Sequence, residues 1–122
     1  MPIYSNQVEG HVLGGLLKHP DVLPEVDSFV NAADFYNDVH QTIYCILRES
    51  ILNGEKIDKV LVATKISNLG ISSKDDIDIY DYINTLSYTS ITRDAVIGSC
   101  KELVKVRIRR ELSERLTESK ST

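Results

Sequence analysis

Residues 37–54 read N-D-V-H-Q-T-I-Y-C-I-L-R-E-S-I-L-N-G. The apolar positions Val39, Ile43, Ile46, Leu47 and Ile51 advance by four, three, one and four residues, a spacing that gathers them on one face of an α-helix. Gly54 then supplies a stop, because glycine adopts the left-handed conformation that closes a helix. The stretch Asn37 to Asn53 therefore reads as a central core helix, and the same periodicity continues on both sides of it.

Upstream, Val8, Val12, Leu13, Leu16 and Leu17 mark a first helix, and Asn6 with Glu9 has the spacing of a capping box. Pro20 ends it. Gly14-Gly15 in mid-helix costs about 1 kcal/mol per residue relative to Ala, which predicts close approach of another helix. Asp21 to Val30 reads as a short helix capped by Asp21, with Pro24 in its first turn. Downstream, Asp58 caps a helix through Leu69 with Val60, Leu61 and Ile66 as its apolar positions and Gly70 as its stop; β-branched residues make a strand the second reading. Residues 71–78 read as a Ser- and Asp-rich loop. Ile79, Tyr82, Ile83 and Leu86 then give a helix ending near Tyr88. Thr92 caps a long last helix carrying Val96, Ile97, Cys100, Leu103, Val104, Ile108, Leu112 and Leu116, whose final turns outrun any obvious core. The prediction is one all-α domain of about six helices, with a core near residues 5–90, a long helix near 92–118 and a fraying tail at 119–122.

The composition fits. With 122 residues, 42% hydrophobic and 26% charged, the chain is an ordinary globular length for one domain. No apolar run approaches the roughly 20 residues of a membrane span, and residues 1–7 lack a basic start and an apolar stretch, so the reading is cytoplasmic. Cys45 and Cys100 both fall inside apolar helical patterns and read as buried free thiols. Charge is unevenly placed. Residues 1–92 carry 6 basic and 13 acidic side chains, whereas residues 93–122 carry 8 basic and 5 acidic.

No catalytic motif stands in the sequence. The phosphate loop G-x-x-x-x-G-K-[ST] is absent, and Gly10, Gly14 and Gly15 lie within a helix. His11, His19 and His40 are scattered without metal-ligand spacing, and Asp75, Asp76, Asp78 and Asp81 lack the glycine and terminal glutamate of a calcium loop. No G-x-S-x-G elbow occurs. No catalytic residue, metal or cofactor is expected. The strip Lys101, Lys105, Arg107, Arg109, Arg110 and Arg115 has two readings. One is a solvated face with pairs such as Arg107–Glu111 and Arg110–Glu114. The other is a docking face in which Leu112 and Leu116 continue an apolar stripe flanked by arginines. Interleaved glutamates argue against direct DNA contact.

Five strings in order carry a resemblance. E-G-H-V-L-G-G-L-L at 9–17, D-F-Y-N-D-V-H-Q-T-I-Y at 34–44, G-E-K-I-D at 54–58, Y-I-N-T-L at 82–86 and the pair Arg109-Arg110 together resemble the N-terminal domain of DnaB-type replicative helicases. Gln7 and Gly10 depart from the pattern frequent in bacterial members and point to a phage or mobile-element member. The resemblance implies an all-helical collar domain that pairs through a C-terminal helical hairpin and offers a surface to the C-terminal domain of primase. Sister helicase subunits and a helicase loader are the other implied partners. It implies a non-enzymatic scaffold, with the ATPase motor and the hairpin's second arm expected beyond this chain. On this basis Gln7, Tyr82, Arg109, Arg110, Leu112 and Leu116 are the candidate partner-binding residues, and His40 is a structural one. The alternatives are a free-standing mimic that regulates primase or helicase and, more remotely, a small helical DNA-binding protein.

Overall fold

The computed structural model describes residues 6–69 and 78–120, with side chains from Gln7 to Leu69 and from Asp78 to Ser113. Among these residues the chain forms six α-helices and no strand: α1 (Asn6–Lys18), α2 (Leu23–Asp27), α3 (Asp38–Leu52), α4 (Lys59–Asn68), α5 (Ile79–Ser87) and α6 (Arg93–Lys120). Single 3₁₀ turns, Pro20–Val22 and Ala32–Asp34, flank α2.

Helix α1 is the hub. It packs against α3, α5 and α6, and every residue from Val12 to Leu16 is buried. That degree of enclosure accounts for the glycine pair. A Cβ on Gly14 would lie 2.6 Å from the Leu86 carbonyl oxygen and 2.6 Å from Thr89 Oγ1, and one on Gly15 would overlap the Val96 side chain. The predicted close approach is therefore present twice, to the end of α5 and to α6. Helix α3 buries His40, Ile43, Tyr44 and Leu47 against α1 and α4, and Gly54 follows it at φ +73°. The caps at Asp58 and Thr92 form as predicted: Asp58 Oδ1 accepts from the Val60 amide at 2.7 Å and Thr92 Oγ1 from the Ala95 amide at 3.2 Å.

Several expectations need correction. Asp21 to Val30 is not one helix, and Asp21 caps nothing; its carboxylate instead accepts from Arg93 Nε at 2.7 Å. Asn37 stands outside α3 as its N-cap, accepting from the Val39 amide at 2.9 Å. In α4 the buried residues are Val62, Ala63 and Ile66, while Val60 and Leu61 are exposed. The run V-L-V-A at 60–63 is apolar at every position, so spacing alone sets no phase and packing on α3 and α5 chooses it. Cys100 is buried as expected and Cys45 is exposed, since its helical position falls beyond the edge of the Ile43–Tyr44–Leu47 face. Helix α6 runs through Lys120, past the predicted end. Gly70, the acidic run at 75–77 and Ser121–Thr122 lie outside the described residues. None of the described helices is long and apolar enough to cross a membrane.

Candidate protein-docking site

The segment D-F-Y-N-D-V-H at 34–40 assigns each residue type a separate mechanical role. Asp34 is fully buried, and its Oδ2 accepts from the Asn31 amide at 2.7 Å, closing the 3₁₀ turn. Phe35 is buried with its ring centroid 5.2 Å from that of Tyr44, and its carbonyl accepts from Gln41 Nε2 at 2.7 Å. Tyr36 faces outward. Asn37 caps α3, and His40 one turn later turns inward.

His40 belongs to a buried chain of polar groups that holds α1, α3 and α5 together. Glu9, 1% exposed, accepts from the Tyr36 amide at 3.0 Å, the Asn37 amide at 3.3 Å and His40 Nδ1 at 2.8 Å. With Nδ1 donating to Glu9, Nε2 takes the hydrogen of the Tyr82 hydroxyl. Burial, with the Glu9 carboxylate adding to it, raises the Tyr82 phenol above its ordinary pKa. The network clamps α1, α3 and α5 to one another, and His40 makes the structural hydrogen bonds expected of it near the start of α3. Glu9 departs from expectation, since its carboxylate points into the core toward the 36–40 segment; the Asn6 side chain of the predicted capping box lies outside the described residues. A signal for this was present: Glu9 shares a helical face with Val12, Leu13 and Leu16.

A second buried acid holds α6. Arg107 Nη1 donates to Asp34 Oδ1 at 2.8 Å and its Nε donates to Glu111 Oε1 at 3.1 Å, so the guanidinium joins both carboxylates, and Asp34 raises its pKa. Arg107 is thus no member of a free basic strip. Arg110 lies with its guanidinium carbon 5.2 Å from the Tyr36 ring centroid, within cation–π range. On the adjacent face the packing gives out: Val104 is half-buried, Ile108 is 48% exposed and Leu112 is 53% exposed. Of the remaining candidates, Gln7 and Arg109 are exposed, Arg110 and Tyr82 are half-buried, and the Arg115 and Leu116 side chains lie outside the described residues. The structure sets Arg109 and Leu112 one turn apart on the outer side of α6, turns Arg110 onto Tyr36 on the core-facing side, and leaves Gln7 and Tyr82 on other helices. Among the described residues no cluster of His, Cys, Asp and Glu is placed to hold a metal.

A model of the DnaB-like helicase N-terminal domain matches residues 1–105 of this chain. The chain belongs to that family. It is 26% identical over 117 residues to the replicative DNA helicase DnaB of Pasteurella multocida, an alignment that takes in 87% of this chain and 24% of that protein. The chain thus spans about a quarter of the length of this curated relative. Its fold is similar to the crystal structure of the N-terminal domain of DnaB helicase from Mycobacterium tuberculosis, with a TM-score of 0.84 and 27% identity over 97% of this chain and 83% of that one. The all-helical architecture is accordingly that of the DnaB N-terminal domain, and the 34–44 string that resembles the family's signature is the segment through which α1, α3 and α6 are joined.

Proposed function

We propose that this chain serves as the N-terminal interaction and oligomerisation domain of a replicative DNA helicase, a scaffold of its collar and a docking surface for primase. The observation that carries this reading is α6: it continues for several turns after its core contacts end, presenting Ile108 and Leu112 with Lys105 and Arg109 beside them. Exposed apolar residues beside an arginine fit the composition of a protein-docking patch. Gln7, Tyr82, Arg109, Arg110, Leu112 and Leu116 remain the candidate contacts, with Tyr82 offering only the part of its ring that the His40 bond leaves outside. Family membership supports the same reading, with the motor activity belonging to other parts of the relative.

The test is Leu112→Asp with Leu116→Asp, read by sedimentation for self-association and by titration with the C-terminal domain of primase. Docking that covers the exposed half of one such side chain is worth roughly 1 kcal/mol, and a buried aspartate adds its desolvation cost, so a loss of about a hundredfold in affinity is expected. Unchanged association and unchanged primase binding, with the helical circular dichroism signal intact, would remove this face.

A further inference from the structure

The core-facing positions of α6 form one continuous stripe, Val96, Cys100, Leu103, Arg107 and Arg110, in steps of four, three, four and three. The first three are buried and apolar; the last two are arginines. The change of chemistry falls where the globular core ends, and both arginines meet the same short segment, residues 34–36. Arg107 reaches the buried carboxylate of Asp34, and Arg110 lies over the ring of Tyr36.

We infer that residues 34–36 form a socket that fixes the direction in which the distal half of α6 leaves the core, and so sets the angle at which Ile108 and Leu112 are presented. Asp34, Tyr36, Arg107 and Arg110 are its positioning residues. The consequence for docking rests on the function proposed above; the socket itself does not. One contact gives a helix a pivot, whereas two give it a direction, and these two are three residues apart, about 4.5 Å along the axis. The first contact is stiff at both ends. Asp34 Oδ2 is held by the Asn31 amide while Oδ1 takes Arg107, and the planar guanidinium of Arg107 is held from its own helix by Glu111. An arginine also suits this place because its stem covers the rim of the core while its head reaches the acid, where a leucine would be left in water.

The experiment is a pulsed electron-spin distance measurement on the full chain, with one label on the native, exposed Cys45 of α3 and a second on Ser113→Cys in α6. Cys100 stays unlabelled, because it is buried and burial pushes its thiol up to about 12. Ser113 lies ten residues beyond Leu103, about 15 Å along the helix, so a swing of about 20° moves its label by about 5 Å. Arg107→Gln and Tyr36→Ala are each expected to broaden the distribution and displace its mean by that order. Arg107→Lys, which keeps a positive charge beside Asp34, should bring the mean back towards that of the parent. Distributions for Arg107→Gln and Tyr36→Ala that superimpose on the parent, with helicity intact, would overturn the socket. Should Arg107→Gln fail to fold, Tyr36→Ala and Arg110→Gln, at the more exposed end of the socket, decide by the same criterion. The distance measurement needs no partner, so a failed docking assay and a failed distance assay are separate results.

Discussion

Adding one methyl group at three glycines should give effects of opposite sign, and the distances say which. In a helix, Ala is preferred to Gly by about 1 kcal/mol, so Gly→Ala stabilises wherever the methyl has room. Gly98 in α6 is exposed, and a Cβ there would meet nothing within 4 Å, so Gly98→Ala is expected to gain about that amount. At Gly14 the same methyl meets the Leu86 carbonyl oxygen and Thr89 Oγ1, both at 2.6 Å. That carbonyl is committed to the Thr89 amide at 3.1 Å, so the end of α5 must move as a unit. Overpacking of this kind costs about 1–3 kcal/mol, and displacement of backbone points to the upper part of the range, about 3. Subtracting the propensity gain leaves Gly14→Ala destabilised by about 2 kcal/mol. Gly15→Ala should behave like Gly14→Ala, because Val96 is fully buried and a β-branched side chain in a helix has no second rotamer to adopt. The separation between Gly98→Ala and Gly14→Ala is thus about 3 kcal/mol, roughly 10 °C in melting temperature for a domain of this size. Urea denaturation followed by circular dichroism measures it directly. Equal stabilisation at Gly14 and Gly98 would refute the claim that α1 is in backbone contact with α5.

Three further outcomes follow from the same contacts. Glu9→Gln should destabilise by about 2–3 kcal/mol, because an amide presents one acceptor oxygen where three N–H groups of Tyr36, Asn37 and His40 converge; a midpoint within error of the parent would show that the clamp is dispensable. Asp58→Ala should lower stability by about 1 kcal/mol through loss of the α4 cap, as read from the urea midpoint. Cys100 gives a pH dependence. Burial raises its thiol from 9.0 to about 12, so the folded chain keeps the proton to higher pH than the unfolded chain does. Stability is then full below pH 9 and falls as pH rises towards 12, by at most about 1.4 kcal/mol per pH unit for this group. Tyr44 and Tyr82, also raised by burial, add to the fall above pH 10. Cys100→Ala should flatten the part between about pH 9 and 10 in urea midpoints taken across that range; an unchanged slope would assign the fall to other groups.

What the sequence made legible depended on contrast along the chain. Helix α3 alternates apolar and polar faces cleanly and ends on a glycine at positive φ, and Asp58 and Thr92 precede apolar runs, so these features could be read from spacing. Helix α4 lacked that contrast, since four consecutive apolar residues fit several phases equally. Asp21 lies inside the 3₁₀ turn Pro20–Val22 that stands where the predicted helix was to begin, and its carboxylate meets Arg93 across the fold. The family string at 34–44 was visible as a resemblance, but the reasons for its composition were not, because Asp34 and Arg107 are 73 residues apart. Glu9 shows how one residue can satisfy two local rules. It stands three positions after Asn6, the spacing of a capping box, and also on the buried face of α1, and only the positions of Tyr36, Asn37 and His40 in space decide between them.

The two buried carboxylates place the polar contacts of this fold where side-chain packing alone would leave freedom. Buried ion pairs are weak sources of net stability, because desolvation offsets much of the attraction, yet they are intolerant of misplacement. Glu9 fixes α1 against the amides of residues 36 and 37, whose positions are set in turn by the α3 cap. Asp34 sits where the apolar stripe of α6 ends, and an arginine takes over the alignment that leucines provide further back. The segment 34–40 meets both: Glu9 reaches residues 36, 37 and 40 of it, and Asp34, its first residue, holds Arg107 of α6. A displacement of that segment would therefore rotate α1 and redirect α6 together, which ties the internal geometry of the domain to the face that α6 presents.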